Sequence, residues 1–82
     1  MPFEDARSHL EDILDSIVLI EEFVFGMDLE AYRLDAKTQA AVERKMLIIS
    51  EAAIRMKGDA EVVCPGVPWR DIRGIGNWLR HQ

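Results

Sequence analysis

Four polar residues near the end of this 82-residue chain are of the types that phosphate chemistry uses: Arg73, Asn77, Arg80 and His81. An imidazole is the side chain most readily used as acid or base near neutral pH. A guanidinium matches phosphate oxygens in a fork and offsets the charge of a developing phosphorane. An asparagine orients the imidazole or the reacting hydroxyl. These are the parts for metal-independent RNA cleavage, in which a 2′-hydroxyl attacks the adjacent phosphate. Spacing alone leaves a polar helix face without chemistry as the plainer reading.

The element that carries them is a helix opened by Trp69 behind Pro68, a residue suited to a first turn. Ile72, Ile75 and Leu79 form its apolar stripe, and Arg70, Arg73, Asn77 and His81 its polar one. Asn77 and His81 are one turn apart on the same side. Gly74 and Gly76 lie inside this helix, and each costs about 1 kcal/mol relative to alanine. Two such costs imply close backbone contact with a neighbour, or a weak helix.

Two longer helices must support it. From Glu4 to Phe25, the residues Leu10, Ile13, Ile17, Ile20 and Val24 recur at helical spacing, widened by Leu14 and Val18. Glu4, Asp5, Glu11 and Asp12 crowd the first turns, where the helix dipole favours acids. Gly26 suits the left-handed position past the helix end. Asp28 can cap a short turn of helix from Leu29 to Leu34. Asp35 can cap a second long helix from Ala36 to Lys57, with Val42, Met46, Ile49, Ala53 and Met56 as its stripe and Ile48 and Ala52 broadening it. The small residues Ser50, Ala52 and Ala53 admit a close neighbour, and Gly58 ends the helix. Pro65, Gly66 and Pro68 make residues 58–68 a connector. No strand-like alternation, repeat or low-complexity tract is present. The fold expected is all-α, an antiparallel bundle of two long helices and a shorter C-terminal one, forming a single domain over residues 1–82. A chain this short buries only about 60% of its unfolded surface. The wide stripes therefore predict a homodimer that dimerises through helices.

Composition narrows the function. Hydrophobic residues make up 49% and charged residues 30%, as in a globular chain. One cysteine, Cys64, excludes an internal disulfide and a cysteine-built zinc site. With no near His, it reads as a small half-buried residue. There is no apolar stretch long enough for a membrane span, and no basic-then-apolar leader. The expected location is cytoplasmic. The net charge of −5 disfavours tight non-specific nucleic-acid binding. It hides an asymmetry: residues 1–35 carry ten acids and two bases, residues 36–82 five acids and eight bases. Neither a Glu-x-x-His pair nor a Walker or zincin motif occurs, so no cofactor or metal is expected. His9, Glu43 and Glu51 read as surface residues, the two acids solvated or paired. Trp69 and Trp78 could stack a base, but beside a helix stripe both read first as core.

The segment from Thr38 to Gln82 resembles the HepT-like proteins of the HEPN superfamily. The resemblance rests on the E-R-K…I-I-S-E-A-A run from Glu43 to Ala53, on P-x-x-P-W-R-D-I from Pro65 to Ile72, and on G-x-x-N-x-L-x-H from Gly74 to His81. It implies an all-α dimer that acts as a ribonuclease toxin on RNA, paired with a nucleotidyltransferase-type antitoxin (MNT). It implies His81 as the acid or base in a cleft shared by two subunits, with Asn77 as the orienting group. The family's arginine position falls on Gly76, which leaves Arg73 or Arg80 as the candidate phosphate clamp, neither at the family's spacing. The family's tyrosine, a target for nucleotide transfer by the antitoxin, would be position 83, so the chain reads as truncated at its C-terminus. The alternative is a catalytically degenerate module that keeps the bundle for dimerisation or for holding the nucleotidyltransferase. A DNA-binding helix pair using Arg70, Arg73 and Arg80 is weaker, because the chain is acidic and two glycines interrupt the would-be recognition helix.

Overall fold

The computed structural model describes residues 2–81, with side chains from Ala6 onward. The readings that involve Gln82 and position 83, and the Glu4 and Asp5 side chains, fall outside what is described. Helix α1 spans Pro2–Val24, α2 Leu29–Arg33, α3 Ala36–Met56, α4 Asp59–Val63 and α5 Trp69–Arg80. Among the described residues every regular element is helical, and the fold is the all-α bundle expected.

Local chemistry sets the helix boundaries. Gly26 takes φ +77° after α1, a left-handed turn open to glycine without steric cost. Asp28 starts α2 by accepting from the Ala31 N–H at 2.8 Å. Asp35 starts α3 by accepting from the Thr38 N–H at 3.0 Å. That bond favours the ionised carboxylate and holds the Asp35 pKa below its ordinary value. Gln39 reaches back from α3 to cap α2, donating to the Tyr32 and Arg33 carbonyls at 2.8 and 2.9 Å.

The end of α3 departs from expectation. The positive φ, +52°, falls on Lys57 and not on Gly58. Such a backbone in a residue with a Cβ costs on the order of 1–3 kcal/mol and must be held from outside. The hold comes from α5: Arg73 Nη2 donates to the Lys57 carbonyl at 2.6 Å, and Arg73 Nε to the Ala53 carbonyl at 3.3 Å. Both are carbonyls in the last turn of α3, where helices lack internal donors. Gly58 is freed to lead into α4, a helix inside the segment expected to be only a connector. Its Ala60 is fully buried, and burying that methyl group fixes a five-residue helix that periodicity is too short to reveal.

Ala6 and Ile13 of α1 share a core with Ala52, Ala53 and Met56 of α3, Ala60 of α4 and Trp69 of α5. The start of α1 therefore meets the end of α3, and the two long helices run antiparallel. Helix α5 also runs antiparallel to α3, since Arg73 meets Lys57 while Gly76 meets Ser50. Helices α1 and α5 both pack on α3, and their backbones approach each other at few points. Between them lies an apolar groove of about 330 Å³, lined by Leu10, Ile13, Leu14 and Ile17 on one side and by Trp69 and Ile72 on the other. The wide α1 stripe is thus only partly covered: Leu14 is 59% and Val18 52% exposed. His9, expected at the surface, is half-buried, and among the described residues its Nδ1 has no hydrogen-bond partner.

Candidate functional site

Helix α5 is anchored along one side. Trp69 is 4% exposed, and its indole N–H donates to the Cys64 carbonyl at 2.9 Å. That bond closes the Pro-Gly turn onto the helix start. Two turns on, Ser50 of α3 is fully buried between the helices. Its hydroxyl donates to the Arg73 carbonyl and accepts from the Gly76 N–H, each at 3.0 Å. Gly76 is buried at this contact, and a Cβ there would stand 3.0 Å from Ser50 Oγ and 3.2 Å from Leu47 Cδ1. The glycine is what lets α5 lie this close to α3, and a side chain at 76 must push Ser50 or Leu47 aside. Gly74 is the opposite case: it is exposed, with nothing within 4 Å of the Cβ position. The close contact inferred from the two glycines exists at Gly76 alone.

The four site residues separate into two groups. Arg73 is turned to the end of α3, holding the two carbonyls above and pairing with Glu61 Oε1 at 2.5 Å, its side chain 26% exposed. It lies eight residues before His81, about 12 Å along the helix axis. Its donors are occupied by a capping role at the end of α3, away from the imidazole, which leaves Arg80 as the clamp candidate beside His81. Asn77, Arg80 and His81 stay together and exposed at the far end of α5. His81 is the capping residue just past the helix, its N–H donating to the Trp78 carbonyl at 3.2 Å. Asn77 sits one turn before it on the same side. Arg80 Nη2 is 3.8 Å from Glu51 Oε1, longer than a hydrogen bond, so the guanidinium is loosely paired and open to an anion.

The spacing did not reveal what lies beside Arg80. An open groove of about 270 Å³ runs between α3 and α5, lined by Ala40, Glu43, Arg44, Leu47, Leu79 and Arg80. Arg44 brings a second guanidinium to the edge where Arg80 stands. It precedes Glu51 by two helical turns on α3, a relation that becomes meaningful only once α5 is laid across that face. Ser50 was visible in the sequence as a small residue, but its bonding to α5 was not. Among the described residues no three His, Cys, Asp or Glu side chains converge as metal ligands. Among them, too, no helix is long and apolar enough to cross a membrane.

The fold and this site define a small helical protein whose exposed histidine and asparagine share the end of a helix anchored by tryptophan and glycine. Residues 13–82 match the family described as ribonuclease HepT-like. The chain is 39% identical over 75 residues to a protein of Thermococcus cleftensis named "Probable ribonuclease HepT", covering 92% of this chain and 68% of that one. It is 35% and 32% identical over its whole length to two proteins of Methanocaldococcus jannaschii, each named "Putative RNase", and spans 68% and 75% of their lengths. No solved structure matches. The chain belongs to the HepT-like ribonuclease family.

Proposed function

We propose that this chain is the ribonuclease component of a toxin–antitoxin pair, cutting RNA without a metal in a cleft shared by two copies. The observation that carries the reading is the exposed Asn77–His81 pair, one turn apart with Arg80 beside it, in a member of the HepT-like family. His81 takes the proton of a 2′-hydroxyl as its oxygen bonds to the adjacent phosphorus. The bond from phosphorus to the 5′-oxygen breaks, and that oxygen is protonated as it leaves. One imidazole cannot be both free base and protonated acid in a single passage, and two copies facing one strand supply both. Asn77 orients the attacking hydroxyl or the ring. Arg80 meets the phosphate oxygens, with Arg44 across the groove. The apolar surface left open on α1 and between α1 and α5 supports a homodimer, since its burial removes Leu14 and Val18 from water. A nucleotidyltransferase antitoxin is the partner, and the cytoplasm the location.

Incubation with RNA in the presence of a chelator tests this. The protein should yield fragments ending in a cyclic phosphate, and His81→Ala should not. Equal cleavage by both proteins rejects the assignment.

A second reading is favoured by Gly76. In this reading the glycine at the family's arginine position marks lost chemistry, and the chain serves as a binding module, the bundle being kept for dimerisation or for holding the nucleotidyltransferase. Absence of cleavage together with tight capture of that partner would select it.

A further inference from the structure

The geometry points to Trp78 as a platform on which an unpaired RNA base stacks, next to the phosphate that His81 handles; this rests on the ribonuclease reading above. Trp78 is 66% exposed, whereas the other tryptophan, Trp69, is buried in the core. A solvated indole forfeits the large burial gain that usually explains a tryptophan. Its surroundings are not those of an apolar docking patch either. The helix-surface neighbours one turn away include Gly74 and the half-buried Ile75 behind and His81 ahead, with Asn77 adjacent in sequence. Gly74 leaves bare helix there, with nothing within 4 Å of the position a Cβ would take. A planar ring approaching Trp78 from that side meets backbone and not a side chain.

Charge agrees with a polyanion. On the open side of α5, Arg70 is exposed and Arg80 only loosely paired with Glu51, against the single acid Asp71, while Arg73 is turned inward to Glu61. His81 follows Trp78 by three residues, so the two side chains are neighbours on the surface. A nucleotide whose base lies on the indole presents its sugar and phosphate toward the imidazole. Because every base has a π-face, such a platform selects single strands over duplexes and tolerates sequence. It also explains a glycine at 74, where alanine would make a better helix and packing demands nothing.

The test is fluorescence titration of the 82-residue protein with a single-stranded oligoribonucleotide blocked by 2′-O-methyl groups, which lack the attacking hydroxyl. The expected result is quenching of the exposed indole, while Trp69 emission persists. Trp78→Leu should abolish the quench and weaken binding about ten- to a hundredfold. Trp78→Phe should recover most of the affinity, and helical circular dichroism should match the parent in both. An oligonucleotide with abasic positions should bind the parent as weakly as the intact one binds Trp78→Leu. RNA binding and cleavage unchanged in Trp78→Leu would overturn the platform and leave the ribonuclease reading standing. No RNA binding by the parent would overturn both. Emission that follows protein concentration and not RNA, with Trp78→Leu becoming monomeric, would assign the ring to a subunit contact and overturn the proposal.

Discussion

The inner and outer faces of α5 are built from the same residue types and do opposite things. The inner face has one tryptophan, Trp69, one arginine, Arg73, and one glycine, Gly76, and each is tied down: the indole to Cys64, the guanidinium to the end of α3, the glycine to Ser50. The outer face has Trp78, Arg70 and Gly74, with Asn77 and His81 among them, all exposed. A residue type therefore says little about role on this helix, and the partner it meets decides. Rigid anchoring on one side lets the other side hold side chains in place without burying them, as the proposed strand-binding role requires.

The largest effect expected is chemical. His81→Ala should lower RNA cleavage by about 10²–10⁴-fold, with the melting temperature unchanged because the residue is exposed. A drop in melting temperature of the same variant would erase the distinction between the faces. The tryptophans come next. Trp69→Ala should destabilise by about 3–5 kcal/mol, enough to threaten folding in a chain this small. Trp78→Ala should stay within about 0.5 kcal/mol in denaturant titrations. Similar losses for both would mean that Trp78 is covered in solution.

The glycines sharpen the comparison further. Gly76→Ala should destabilise by about 1–3 kcal/mol through overpacking against Ser50 and Leu47. Gly74→Ala should stabilise by about 0.5–1 kcal/mol, as alanine replaces glycine in an open helix position. Thermal shifts of the same sign would break the argument for close approach at one site only. By the same geometry, Gly76→Arg changes packing before it adds a charge, so its effect on cleavage must be read beside its effect on stability.

The smallest effect lies outside α5 and serves as its control. Asp35 has a lowered pKa in the folded chain, so its capping bond contributes stability above the unfolded carboxylate value, which is lost as pH falls through the folded one. Asp35→Asn should flatten that acid limb while leaving neutral-pH stability and RNA binding nearly unchanged. An altered RNA affinity in this variant would link α3's start to the site.

Much of the fold was legible. The apolar spacing of Ile13 and Met56, the caps Asp28 and Asp35, and the breakers around Pro65 are local signals that need only neighbours in sequence. Helix α4 was not legible, because five residues hold too little periodicity and Ala60 becomes helical through burial. The exposure of Leu14 and Val18 was not legible either, since an apolar stripe states its width and not how much of it the chain can cover. For the site, Asn77, Arg80 and His81 could be placed on one helix end from spacing. The diversion of Arg73 could not, because its partners at Ala53, Lys57 and Glu61 are distant in sequence.

By itself the sequence determined that this chain is helical, where each long helix begins, and which family its motifs belong to, since all of these follow from short-range patterns of side-chain chemistry. Only the tertiary structure decided which arginine is free, which tryptophan is wet and which glycine is pressed against a neighbour. Those answers depend on how closely α5 lies on α3, a distance that two buried contacts, Ser50 and Gly76, fix between residues 26 positions apart.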